Sequence, residues 1–135
     1  MSNITEVVGK EVNMTTLNRG IIASGLNEFL KKGGPYTVFA PSDMAFGKMQ
    51  AGAVEDLLKP ENKVKLTNFL KNHIVEGKLK FSDLKNGDKL KTLDGKELSV
   101  TQSMGKTSIN NSIIQNQDVE SSNGTIHSLD KVLLN

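Results

Sequence analysis

The stretch from Gly34 to Phe46, GPYTVFAPSDMAF, leaves this chain few choices. Tyr36 to Ala40 is aromatic and β-branched and has no charge, so it reads as a short buried strand. Pro41 ends it, because proline has no N–H to give a sheet ladder. Ser42 stands at the N-cap position of a helix that opens with Met44, Ala45 and Phe46. Its hydroxyl can take a free amide two or three residues on, and Asp43 puts negative charge in the first turn. A buried strand that becomes a capped helix within two residues fixes where a sheet meets a helical layer. Nothing in the stretch is a nucleophile or a phosphate cradle.

The rest divides around Gly77. Before it, the apolar spacing is helical. Met1–Val12 is a short arm with weak helical character through Ile4, Val7 and Val8. Thr15 or Thr16 can cap a helix carrying Leu17 and Ile21, Gly25 interrupts it, and Leu26, Phe29 and Leu30 continue to Gly33-Gly34. Val54, Leu57 and Leu58 make a further stripe. Pro60 suits a helical first turn, and Leu66, Phe69, Leu70, His73 and Ile74 lie along one helix face. After Gly77, turn dipeptides take over: Asn86-Gly87, Asp94-Gly95 and Asn123-Gly124 tolerate positive φ. Asp94-Gly95 predicts a hairpin between Lys89–Leu93 and Lys96–Thr101. Met104-Gly105 and Asn110-Asn111 predict two more reversals. The last third is expected to be an antiparallel meander of Lys96–Gln102, Lys106–Ile109, Ser112–Asn116 and Thr125–Leu134. Helices first and strands later make an α+β fold, expected as one domain over residues 1–135.

Composition narrows the function. The chain has 135 residues, 36% hydrophobic and 24% charged, so it can bury a core without metal or disulfides. Seventeen basic against fifteen acidic residues, no Trp and one Tyr make no nucleic-acid footprint. With no Cys, disulfides and thiolate metal sites are excluded. No apolar run approaches the roughly 20 residues of a membrane span, so no membrane insertion is expected. The N-terminus has no basic-then-apolar leader, so the chain is expected either to be cytosolic or to have lost its export signal.

Several residue groups imitate chemistry. His73 could be a ligand or a general base; the apolar face around it favours a buried, hydrogen-bonded imidazole. His127, Ser128 and Asp130 supply the residue types of a hydrolase triad, but neighbouring strand residues point to opposite faces and no G-x-S-x-G elbow is present. His127 and Asp130 are expected to satisfy local backbone groups. Gly105-Lys106-Thr107-Ser108 imitates the end of a phosphate loop, but Val100 stands where its first glycine belongs. Asn116, Asp118 and Glu120 alternate like calcium ligands, but Ser121 takes the place of the obligatory glycine. Asn3, Asn13, Asn110 and Asn123 each begin an N-x-Ser/Thr sequon. The lysines read as a solvated surface with a positive bias around Lys78–Lys91.

Three segments together resemble the fasciclin-type domain. YTVFAPSDMAF looks like its first signature motif, NGTIHSLDKVLL (Asn123 to Leu134) looks like its second, and NHIVEG (Asn72 to Gly77) resembles its tyrosine-histidine segment. The motif positions are Thr37, Phe39, Pro41, Ser42, Asp43, Phe46, Asn123, Gly124, His127 and Asp130. The resemblance implies a wedge of sheet with helices along it and one strand supplied by the N-terminal half. It implies an extracellular, periplasmic or surface-anchored adhesion module, monomeric and not an enzyme, without cofactor or metal. Its partner would be a surface or matrix protein or a polysaccharide, held weakly; the alternative is a small-molecule or glycan-binding module. In the family the histidine matched by His73 follows a tyrosine, and the pair is linked to adhesion; here Asn72 stands in the place of the tyrosine, so only the histidine of the pair carries over. An Asp-Ile pair proposed as an integrin contact in some animal members is matched by Asp118-Val119. The candidate binding residues are therefore Asp118, Val119, Glu120 and His73, and the candidate contact patch is a turn-rich rim holding Asp118, Glu120 and the Lys78–Lys91 stretch.

Overall fold

A computed structural model of the chain describes residues 3–31, 34–49, 52–110, 112–117 and 119–133. Its helices are α1 (Ile4–Lys10), α2 (Thr15–Ser24), α3 (Leu26–Lys31), α4 (Asp43–Gly47), α5 (Ala53–Leu57) and α6 (Lys63–Lys71). Its strands are β1 (Tyr36–Pro41), β2 (Ile74–Glu76), β3 (Lys89–Lys91), β4 (Glu97–Ser103), β5 (Lys106–Ile109), β6 (Ser112–Ile113), β7 (Val119–Ser121) and β8 (Gly124–Leu129). The fold is α+β, with two four-stranded sheets, ordered β2-β1-β8-β7 and β3-β4-β5-β6. Single bridges, Val75 to Thr92 and Ile114 to Leu129, join them into a wedge.

The segment after Asn123 departs from the expected meander. β8 leaves the second sheet and lies parallel to β1, with Tyr36 opposite Gly124 and Pro41 opposite Leu129. It stops at Leu129 instead of running on to Leu134. The reason is burial. Every residue of β1 and of β8 is buried. Val38, Ala40 and Ile126 face a helical core with Ile4, Leu17, Ile21, Leu30, Leu66 and Leu70. Phe39 and Leu129 face a second core with Leu98, Val100 and Ile109 of the other sheet. Parallel strands need both faces covered, and this pair has helices on one side and a sheet on the other. Each fully buried side chain of this kind contributes roughly 1.5–3 kcal/mol.

Two helix starts also differ from expectation. Thr15 and Thr16 do not cap α2; its N-cap is Met14, with no side-chain bond of its own. The cap comes from elsewhere: Asp43 takes the Thr16 N–H at 2.7 Å and the Thr15 hydroxyl at 2.7 Å. The arm before Val12 is a full helix. Asn3 and Glu6 form a reciprocal capping box, and Ile4 and Val8 are fully buried. Gly25, at φ 82°, separates α2 from α3 in a left-handed turn.

Candidate functional site

The two signature motifs are one object in space. The first supplies β1, the second supplies β8, and the ladder between them is the centre of the first sheet. Ser42 caps α4, taking the Ala45 N–H at 3.2 Å. Phe46 is buried and tilts against Phe69. Asp43 sits in the first turn of α4 while capping α2. Burial pushes its carboxyl up, but the hydrogen bonds from Thr15 and Thr16 outweigh that and hold it below the usual carboxylate value.

Asn123 and Gly124 work at the other end of the strand pair. Asn123 Oδ1 accepts the Ile4 N–H at 3.0 Å, its Nδ2 donates to Leu30 O at 2.5 Å, and its backbone carbonyl accepts the Tyr36 N–H at 3.0 Å. One side chain thus ties α1 and α3 to the start of the central ladder. A glycan on that amide nitrogen would cost the Leu30 bond. Gly124 does not adopt the positive φ that Asn123-Gly124 led us to expect. It is glycine for lack of room, since a Cβ there would collide with the Tyr36 carbonyl and with Ile4.

Both histidines clasp a leucine peptide. His73 is fully enclosed. Its Nε2 accepts the Leu133 N–H at 2.9 Å, so the ring proton sits on Nδ1 and is donated to Phe69 O at 2.9 Å. Asn72 completes the hold, donating from Nδ2 to Leu133 O at 3.2 Å. Burial depresses the His73 pKa from 6.5 to about 4, with the Phe69 bond opposing, so the ring is neutral. His127 stacks on Phe39 and donates from Nε2 to Leu79 O at 2.8 Å, while Thr37 takes the Leu79 N–H at 2.8 Å and gives its own proton to Gly77 O at 2.7 Å. The side chains at the two motif histidines therefore hold backbone, one the C-terminal strap and the other the loop after β2. His127 reaches a residue 48 positions away, not the local groups the sequence pointed to.

The triad look-alike is taken apart by its partners. The Ser128 hydroxyl accepts the Asn116 N–H at 2.9 Å, and Asp130 Oδ1 accepts the Ile113 N–H at 2.8 Å. Ser112 also serves the strap, taking the Lys131 N–H at 3.0 Å and donating to Lys131 O at 2.8 Å. Ser112, Asp43 as a distant cap, and the Asn3–Glu6 box are the residues that sequence reasoning missed. Only the box had a readable signal, an Asn three residues before a Glu. Gly105 is a hairpin turn with Met104, at φ 77° and 53°. Among the described residues no three His, Asp or Glu side chains gather as metal ligands.

Asp118 lies outside the described residues. Val119 is half-buried against the helical core, and Glu120 forms an ion pair with Lys78 at 3.1 Å. The rim thus joins Glu120 to Lys78, while Val119 is turned to packing and His73 is buried away from it. Hollows are of two kinds. Between Phe46, Phe69, Leu66, Leu70 and Gly20 lies a cavity of about 10 Å³, no larger than a single water needs. Open clefts of about 310 to 510 Å³ run along the surface, one of them beside Asn72, Lys65 and Lys96.

Comparison with known proteins follows the same lines. The sequence profile of the Fasciclin domain matches residues 12–135. The chain belongs to the fasciclin domain family. It is 40% identical over 131 residues to Protein sll1483 of Synechocystis sp., a match covering 97% of this chain and 72% of that one. It is 37% identical over 135 residues to the transforming growth factor-beta-induced protein ig-h3 of Sus scrofa, covering 98% of this chain but 19% of that protein. Its fold matches a solved FAS1 domain pair from the insect cell adhesion molecule Fasciclin I with a TM-score of 0.88. That match has 20% identity and covers 99% of this chain and 51% of that one. This fasciclin domain therefore shares the Fasciclin I architecture, and among its described residues no helix is long and apolar enough to cross a membrane.

Proposed function

We propose that this fasciclin domain is a non-catalytic adhesion module acting outside the cell, which holds a surface or matrix protein or a polysaccharide by weak contacts. One observation carries the reading. The chemistry-bearing side chains of its motifs, His73, His127, Ser128 and Asp130, all end in hydrogen bonds to the domain's own backbone. Groups spent that way fix a scaffold, and recognition falls to the loops and the outer faces it carries. Relatives agree in kind, since the shared fold occurs in an insect cell adhesion molecule. A domain of this size presents little contact area, so affinity for a single copy is about micromolar or weaker and rises when copies are tethered together. The test is attachment of beads coated with the domain to cells and to extracted matrix, beside free monomer in solution. Attachment by beads and weak binding by monomer are expected. Failure of both across several matrices would turn the reading toward the small-ligand alternative, with the cleft beside Asn72 as its first place to look.

A further inference from the structure

The outer face of the second sheet is built differently from everything around it. Leu98, Val100 and Ile109 alternate inward to the second core. Their strand neighbours therefore point outward. Lys89 and Lys91 of β3 lie opposite Ser99 and Glu97 of β4. Thr101 and Ser103 of β4 lie opposite Ser108 and Lys106 of β5. Ile113 of β6 lies opposite Ser108 on the same face. The described part of this face is thus a lattice of hydroxyls crossed by three lysines and one glutamate, with one isoleucine at its β6 edge. Rows are about 5 Å apart between strands and about 7 Å along them. The Lys89 ammonium already rests on the Ser99 hydroxyl at 2.8 Å, and Glu97 sits across from Lys91. The surplus charge is positive, whereas at the rim Lys78 is ion-paired with Glu120.

We infer that this face is the contact surface for an acidic polysaccharide, a polymer of sulfated or uronic acid sugars; this rests on the adhesion reading above. The chemistry selects that partner. Protein hot spots are enriched in Trp, Tyr and Arg, and these positions supply none. Single-stranded nucleic acid and neutral sugars want aromatic platforms, and these positions have none. What the face offers is point cations for sulfate or carboxylate, and hydroxyl donors and acceptors for sugar hydroxyls, repeated at regular spacing for a repeating polymer. The twist of a short sheet still leaves such a face open to an extended chain.

The test uses the whole chain on three immobilised polymers: dextran sulfate, a polyuronate, and unmodified dextran. Beside wild type stand Lys89→Gln/Lys91→Gln/Lys106→Gln and a control, Lys31→Gln/Lys59→Gln/Lys71→Gln, which removes the same charge from the helical side. We expect retention on the two acidic polymers and not on dextran. The sheet-face variant should lose about tenfold or more, the control should stay within about twofold, and binding should weaken steeply with added salt. Thr101→Glu, which plants an anion in the lattice, should weaken binding as well and guards against an unfolded triple variant. No retention on acidic polymers, equal retention on dextran, or equal loss in both triple variants would overturn the inference. Beads that attach to matrix regardless of the sheet-face substitutions would leave the adhesion reading standing without this surface. Polymer binding with no attachment of wild-type beads would do the reverse.

Discussion

The β1–β8 pair and the β3–β6 sheet are built from similar residues and put to opposite uses. In β1–β8, hydroxyls and one imidazole point into the molecule and clasp backbone: Thr37 and His127 hold the peptide of Leu79, and Ser128 takes the Asn116 N–H. In the second sheet, Ser99, Thr101 and Ser108 stand on an outward face among lysines. A polar side chain between two layers must find a partner or cost about 1–3 kcal/mol; one facing water has no such obligation. The signature-motif side chains of this fasciclin domain therefore hold its scaffold together, while those on the outward face of the second sheet are not called on to do so.

The sharpest way to break that contrast is glycine against glycine. Gly124→Ala drives a Cβ into the Tyr36 carbonyl and Ile4 at the centre of the ladder, and should cost more than about 3 kcal/mol. Gly105→Ala, at the second sheet's hairpin, meets nothing within 4 Å and has only its φ of 77° to resist it, so about 1 kcal/mol is expected. Urea midpoints measure both, and equal losses would erase the distinction. Acid probes the same inner network. His73 has a folded-state pKa of about 4 against 6.5, so the unfolded chain binds a proton first. Its contribution is fully present above pH 6.5 and is lost as pH falls toward 4, by about 3 kcal/mol in all. Asp43 acts in the same direction at lower pH, because its depressed carboxyl supports the fold in full above the ordinary value of 3.8 and loses that support as pH falls from there through its lowered folded value. Denaturation midpoints between pH 7 and 4 should drop for wild type and stay flatter for His73→Gln.

Asn123→Ala strips a partner from both the Ile4 N–H and the Leu30 carbonyl, and about 2 kcal/mol is expected by chemical denaturation. Ser42→Ala removes one cap and should cost about 1 kcal/mol. At the small end, Thr101→Ala and Ser103→Ala on the open face should leave the midpoint within about 0.5 kcal/mol. A larger loss there would mean that this face is part of the scaffold and not free for a partner.

Local chemistry determined a good deal of this protein. The strand from Tyr36, its end at Pro41 and the cap at Ser42 follow from backbone rules that act over a few residues. So do the breaks at Gly25 and Gly105. The helical face expected to carry His73 and Ile74 does not reach them: α6 ends at Lys71, His73 lies in the turn that follows, and Ile74 opens β2, where sheet pairing with β1 takes over from the helix. The linear order of helices before strands was enough for an α+β fold. Tertiary structure decided the rest, for one physical reason: a hydrogen-bonding group does not record in sequence how far away its partner will be. Asp43 caps a helix 27 residues back, His127 reaches Leu79, and Asn123 joins two helices 93 and 119 positions away. The same holds for β8. Its alternation fits a one-sided meander strand as well as a central one, and only the arrival of a sheet on one face and helices on the other made it the parallel partner of β1.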